Sequence, residues 1–175
     1  MEWMPPKLKE LAEQTSEHAA RIGAKLAVAE SCTGGLLFAT LTELPGSSRV
    51  VDRGWCTYSN DAKEEELGVP RDALLTQGAV SPSVVEAMAL GALTRSRAHF
   101  ALSISGVAGP DGGTIAKPVG LVYLGLAKRA FGSEHTVAHK RLMLDANMGR
   151  TEIRLTTVYE ALLWLDMTMP EALGT

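Results

Sequence analysis

Glu30, Ser31, Cys32 and Thr33 sit in the run Ala-Val-Ala-Glu-Ser-Cys-Thr-Gly-Gly ending at Gly35, where a short apolar stretch gives way to small polar residues and glycines. A strand that stops at Glu30-Ser31 and turns through Thr33-Gly34-Gly35 into a helix gathers a hydroxyl, a carboxylate and unpaired backbone N–H groups at the positive end of a helix dipole. Further hydroxyls occur at Ser47, Ser48, Tyr58 and Ser105. Lys63 falls in the first turn of a helix predicted over 61–67, where a cation opposes the dipole and needs another reason to be there. The chain offers no histidine in an obvious triad position, and a serine nucleophile then needs a different base. A lysine whose pKa is lowered by burial or by a helix N-terminus can serve. Amide hydrolysis also needs oxyanion donors, which the N–H groups of residues 33–35 or the glycine-rich loop from Gly106 to Gly113 could supply. The competing reading is structural: Ser31 and Ser48 as helix caps, and Glu64, Glu65 and Glu66 as a solvated helix face.

Other chemistries find less support. No Walker A sequence and no GxGxxG fingerprint follows a predicted strand, which argues against NTP hydrolysis and dinucleotide redox chemistry. His18, His99, His135 and His139 form no HExxH pattern, and Cys32 and Cys56 form no CxxC pair, so neither a metal nor a cofactor is expected and the cysteines read as free thiols. A net charge of −3 disfavours a nucleic-acid partner. No window approaches the ~20 apolar residues of a spanning helix, and the N-terminus lacks a basic and apolar leader, so no membrane association and a cytoplasmic location are expected.

The elements that must position these groups follow from periodicity. Pro5 and Pro6 open a covering helix that Gly23 stops, with apolar residues at Leu8, Leu11, Ala12, Ala19 and Ile22. Leu26–Ala29 reads as a strand and Leu36–Leu44 as a helix, ending before Pro45-Gly46. Gly46-Ser47-Ser48 suits a short helical turn, Trp55–Ser59 a strand, and Asn60 a cap for the helix over 61–67. Ser81-Pro82 opens a long helix, and His99–Ser103 is a buried-type strand running into the glycine loop. Leu121–Ala127 pairs with His135–Leu144 through a turn at Phe131-Gly132-Ser133, and Asn147 caps a last helix carrying Leu155, Val158, Leu162 and Leu165. The order predicts one domain over 1–175, a three-layer α/β/α sandwich with a mixed central sheet. Ligands in such sheets bind beyond the carboxyl ends of the strands, that is, at the loops after Ala29, Tyr58 and Ser103.

Several blocks occur together in order: Ala-Glu-Ser-Cys-Thr-Gly-Gly, Pro-Gly-Ser-Ser, Thr-Tyr-Ser-Asn-Asp-Ala-Lys, Gly-Ala-Val-Ser, and Ser-Gly-Val-Ala-Gly-Pro-Asp-Gly-Gly followed by Lys-Pro-Val-Gly. On these blocks the chain resembles the CinA C-terminal domain family, in its stand-alone form, from about residue 8 to residue 166. The resemblance implies hydrolysis of nicotinamide mononucleotide to nicotinic acid mononucleotide and ammonia by a serine and lysine pair, in pyridine nucleotide recycling, and a homodimer or higher homo-oligomer. It matches Lys63 to the lysine and leaves both Ser31 and Ser48 as candidates for the nucleophile. Tyr58 and Asn60 would orient the lysine or the amide, and Glu30 would hold Lys63 charged or bind ribose. Thr33 and Gly34 would face the substrate. Ser105, Gly106, Gly109 and Gly112 would contact phosphate or ribose, and Arg154, one turn beyond Arg150, would supply the phosphate cation. The sequence departs from the family at Leu144–Arg150, where a Gly-Asp-Arg-like segment is common, and at Ile115-Ala116, where acidic residues are common. The alternative is a catalytically silent nucleotide-binding or regulatory module linked to competence or DNA damage.

Overall fold

The computed structural model describes residues 3–130 and 135–173, so the predicted turn at Phe131-Gly132-Ser133 lies outside the described residues. The elements are α1 (Pro6–Arg21), β1 (Leu26–Glu30), α2 (Leu36–Thr42), a 3-10 turn (Ser47–Arg49), β2 (Val51–Cys56), α3 (Asn60–Leu67), α4 (Arg71–Gln77), α5 (Pro82–Thr94), β3 (Phe100–Gly106), β4 (Leu121–Lys128), β5 (Thr136–Met143) and α6 (Arg150–Thr168). The strands form one five-stranded sheet in the order β2-β1-β3-β4-β5. β1 runs parallel to β2 and β3, while β3-β4 and β4-β5 are antiparallel, giving the expected mixed sheet.

Alternation along the strands sorts the core into two layers. Leu26, Val28, Phe100, Leu102 and Ile104 point to the face covered by α1, α2 and α6, where Leu8, Leu37, Ile153 and Leu162 meet them. The opposite face carries Ala27, Ala29, Ala101 and Ala127 against Val84, Met88 and Ala92 of α5. Small residues there admit α5 at close range. A Cβ on Gly125 would lie 2.4 Å from the Val85 carbonyl oxygen, and one on Gly91 would lie 2.1 Å from that of Leu67.

Four details differ from the sequence expectations. β2 starts at Val51 and ends at Cys56, four residues earlier than expected at its start, because Gly54 is a strand residue held flat under Phe38: a Cβ there would come within 2.5 Å of the ring. The helix containing Lys63 begins at Asn60 and is capped by Ser59, whose Oγ accepts from the Ala62 N–H at 3.0 Å. Asn147 does not cap α6; it donates to Asp145 Oδ1 at 2.9 Å, and Gly149 occupies the position before the helix. The short α4 between Pro70 and Gly78 had no apolar period long enough to announce it.

The parallel strands bring their carboxyl ends to one edge. Glu30 lies beside Cys56 and Ile104, and Val122 at the start of β4 lies beside Gly106. The loops after β1, β2, β3 and β5 therefore open on the same side of the sheet.

Candidate active site

Ser31 and Lys63 meet at that edge. The chain leaves β1 tied on both sides, with the Ser31 N–H donating to the Ile104 carbonyl at 3.0 Å and the Thr57 N–H donating to the Glu30 carbonyl at 2.8 Å. Lys63, one turn into α3, extends back under the loop between β2 and α3, where its side chain is buried to 1% exposure. Its Nζ lies 3.0 Å from Ser31 Oγ, 2.8 Å from the Thr57 carbonyl oxygen, and 3.4 and 3.5 Å from those of Tyr58 and Ser59. The cradle is made of neutral oxygens. Burial pulls the Lys63 pKa below the ordinary lysine value, with the nearby thiols Cys32 and Cys56 acting weakly in the other direction. A neutral amine fits the same geometry: two N–H groups can remain on carbonyls while the lone pair accepts the Ser31 O–H.

The two cysteines flank this pair as free thiols. Burial pushes the Cys32 thiol up to about 12, so it stays protonated beside Lys63 and is a poor nucleophile. Cys56, at the end of β2, is also raised by burial.

Glu30 has a different task from the one expected of it. Its carboxylate is wholly buried, and Oε2 and Oε1 accept from the N–H groups of Leu37 and Phe38 at 3.0 and 2.8 Å. Gly35, before α2, has no side chain to cap that helix, and Glu30 does so from the end of β1. Both oxygens are committed to backbone donors, so it is withdrawn as a ribose ligand or a partner of Lys63.

Thr33 is buried, and its carbonyl oxygen accepts from Arg154 Nη2 at 2.6 Å and Nε at 3.3 Å. Two of the nitrogens of Arg154 thereby converge on one backbone carbonyl, while its Nη1 has no hydrogen-bond partner among the described residues. Gly34 and Gly35 adopt left-handed φ of +59° and +90°, as the turn into α2 requires. The hydroxyls of Thr33 and Thr57 are buried with no hydrogen-bond partner among the described residues.

Arg150 lies at the rim. Its Nη1 donates to the Gly109 carbonyl at 2.7 Å and its Nη2 to the Tyr58 hydroxyl at 3.2 Å, joining α6 to the loops after β2 and β3. The Tyr58 side chain is exposed, and the residue reaches Lys63 only through its carbonyl. Asn60 is exposed at the start of α3. In the glycine loop, Gly109 and Gly112 have φ of +71° and +83°. Ser105 is buried and donates to the Ala79 carbonyl at 2.8 Å, while Gly106 is pressed against β4, a Cβ there falling 2.8 Å from the Leu121 carbonyl oxygen. These two hold the loop's root, with the Ser105 hydroxyl turned to protein and Gly106 half-buried.

Ser48 is not brought to the site. It lies exposed in the 3-10 turn before β2, its carbonyl accepting from Lys25 Nζ at 3.0 Å. The whole of β2 separates it from Thr57, about 20 Å at the usual rise per residue. Among the described residues, no three His, Cys, Asp or Glu side chains cluster as metal ligands would, and no helix is long and apolar enough to cross a membrane.

The same chain pattern is found elsewhere. The CinA C-terminal domain model matches residues 8–169. A Pseudomonas putida protein called nicotinamide-nucleotide amidohydrolase PncC is 46% identical over 152 residues, 87% of this chain and 91% of its own length. A putative competence-damage inducible protein of Caldicellulosiruptor saccharolyticus is 51% identical over 121 residues, and the matched part spans 29% of that protein's length. The crystal structure of the competence/damage inducible protein CihA from Agrobacterium tumefaciens superposes with a TM-score of 0.88 at 48% identity, covering 94% of this chain and 97% of that one.

Proposed function

The chain belongs to the CinA C-terminal domain family, and from that premise we propose that it is an amidohydrolase that converts nicotinamide mononucleotide to nicotinic acid mononucleotide and ammonia, within pyridine nucleotide recycling. The observation that carries the reading is the buried Lys63 Nζ at 3.0 Å from Ser31 Oγ. The likeness to a relative called a nicotinamide-nucleotide amidohydrolase over nearly its whole length supports the substrate.

In this mechanism neutral Lys63 takes the Ser31 proton as Oγ attacks the carboxamide carbon. The negative charge that develops on the amide oxygen falls to backbone donors of the turn after β1, where the Thr33 and Gly35 N–H groups have no acceptor among the described residues. The tetrahedral adduct collapses, Lys63 returns its proton to the leaving nitrogen, and ammonia departs. A water then attacks the Ser31 ester, giving up a proton to Lys63; as the bond from the acyl carbon to Oγ breaks, Lys63 returns that proton to Ser31, and the acid leaves as the carboxylate, its own proton passing through solvent to the released ammonia. One water is consumed, and the nucleophile and base are regenerated. No step requires a metal or cofactor.

At the rim, the Arg150 guanidinium bonds two neutral groups, a phenol and a carbonyl. A phosphate offers it a charge-assisted fork instead, so the reading assigns the phosphate to Arg150, with Gly109 and Gly112 beside it. Self-association belongs to the same reading, because β2 and β5 leave open sheet edges at which a second copy can pair. A cytoplasmic enzyme of one domain over 1–175 completes the proposal.

Ammonia release by purified protein from nicotinamide mononucleotide, with mass-spectrometric identification of the acid, tests the reading. Wild type is expected to turn over and Lys63→Met to be nearly silent. Tight mononucleotide binding without ammonia would replace it with the regulatory-module reading.

A further inference from the structure

We propose that Arg154 is a positioning residue for the nucleophile turn, setting the donors that receive the oxyanion while making no contact with the substrate. The proposal rests on the amidohydrolase reading above and deepens it.

The turn from Ser31 to Gly35 is held by few bonds of its own. Gly34 N–H donates to the Ser31 carbonyl at 3.0 Å and Leu36 N–H to the Thr33 carbonyl at 3.2 Å. Two consecutive glycines with positive φ remove the steric restraint that side chains would impose on the peptide planes between Thr33 and Leu36. Such a segment has several backbone states of similar energy, and an oxyanion hole acts only if its N–H groups are fixed before charge develops. Something outside the turn must fix it.

Two groups do. Glu30 holds the far side through the Leu37 and Phe38 N–H groups. Arg154 holds the near side: from the first turns of α6 its Nη2 and Nε converge on the Thr33 carbonyl oxygen at 2.6 and 3.3 Å, and Nη2 lies 3.5 Å from where a Gly34 side chain would begin. A peptide whose carbonyl is clamped by a guanidinium and whose N–H, that of Gly34, donates to Ser31 is held at both ends, and the flanking peptides that carry the unpaired Thr33 and Gly35 N–H groups then start from a fixed plane. α6 is itself anchored through buried Ile153 and Thr157 on either side of Arg154, so the clamp refers the turn to the rigid α1-α6 layer. A lysine cannot reproduce the converging pair.

The test is kinetic and structural together, on wild type, Arg154→Gln and Arg154→Lys. For Arg154→Gln the expected result is a kcat about 10²-fold lower, the scale of losing an oxyanion donor, with Arg154→Lys between it and wild type and KM for nicotinamide mononucleotide within about threefold of wild type in both. The same factor is expected with nicotinamide riboside, which has no phosphate. Amide hydrogen exchange at Gly34 and Leu36 should accelerate in both variants while the melting temperature holds in Arg154→Lys. A raised KM for the mononucleotide alone, with kcat unchanged, would make Arg154 a phosphate ligand and overturn the proposal. Unchanged exchange would overturn it as well. Wild-type protein that releases no ammonia from either compound would refute the amidohydrolase reading instead, and the exchange measurement would still decide whether Arg154 fixes the turn.

Discussion

The two ends of β2 carry serines in similar surroundings of glycine and hydroxyl residues, yet they are physically opposite. At the carboxyl end, Ser31 on the neighbouring strand is 9% exposed and in hydrogen-bond contact with a buried amine. At the amino end, Ser48 is exposed in a 3-10 turn after Gly46, beside a hollow of about 520 Å³ that α1 and the segment Leu44–Val50 enclose. Glu13, Glu17, Arg21 and Arg49 line that hollow, with neither a lysine nor a histidine among its lining residues. A hollow beside a serine therefore does not by itself make a nucleophile. A nucleophile is made by the group that removes its proton, and among the described residues Lys63 reaches one serine hydroxyl, that of Ser31.

The largest effect that would break this contrast is a nucleophile deletion at each end. Ser31→Ala is expected to lower ammonia release from nicotinamide mononucleotide by about 10³-fold or more, the scale of removing an activated hydroxyl. Ser48→Ala is expected to stay within about twofold of wild type. The reverse ranking would move the chemistry to the other end of the strand.

Next comes the base. Lys63→Met should lower turnover by about 10²- to 10⁴-fold. In wild type, kcat/KM should rise with pH through a pKa below the ordinary lysine value, because the reactive form is the neutral amine that burial favours. Stability should carry the same signature. An unfolded lysine titrates near ~10.4 and the folded Lys63 lower, so between the two values the unfolded chain holds a proton that the folded chain lacks. Wild-type stability then increases across that window as pH rises, whereas methionine has no proton to exchange. The difference in Tm, wild type minus Lys63→Met, should grow toward high pH; a flat difference would mean that Lys63 titrates normally.

At the rim the expected effect is smaller. Arg150→Gln should raise KM for nicotinamide mononucleotide by about tenfold and leave nicotinamide riboside nearly unaffected, since a guanidinium fork on phosphate contributes on the order of 1.5–3 kcal/mol in gross hydrogen bonding and replaces existing bonds to Gly109 and Tyr58. Equal losses on both compounds would place Arg150 with Arg154 among the residues that shape the site.

Much of the scaffold was legible in the sequence because it depends on short-range pattern. The apolar periods of α1, α5 and α6, the buried runs of β1, β3 and β4 and the glycine turn after β1 each follow from neighbours a few residues apart. Lys63 was legible for a related reason, as a cation where a helix dipole disfavours one. The choice between Ser31 and Ser48 was not, since it turns on which end of a strand each occupies, and Asp52, Arg53 and Gly54 disguised the first half of β2. Arg154 and Arg150 were similarly indistinguishable: sequence shows two cations a turn apart, but not that one guanidinium closes on a carbonyl 121 positions away. The role of Glu30 left a readable trace, a carboxylate just before a helix whose own cap position is glycine.

The smallest expected effect compares the glycines that make the two turns. Gly34 and Gly46 both have left-handed φ, +59° and +82°, and alanine at either should cost about 1–2 kcal/mol. Calorimetric melting should therefore show similar losses for Gly34→Ala and Gly46→Ala, because the backbone penalty does not depend on which end of the strand it falls. Turnover should separate them. At position 46 the new methyl meets only the mobile end of Arg49, and the native population that remains should react at the wild-type rate. At position 34 the methyl lies 3.5 Å from Arg154 Nη2 and the strained peptide carries the donors beside Ser31, so kcat should fall beyond what instability explains. If the two variants kept equal turnover per folded molecule, the turn after β1 would be a connector like the one before β2. Its glycines would then matter for folding alone, and the oxyanion donors would have to be sought in the loop between β3 and β4.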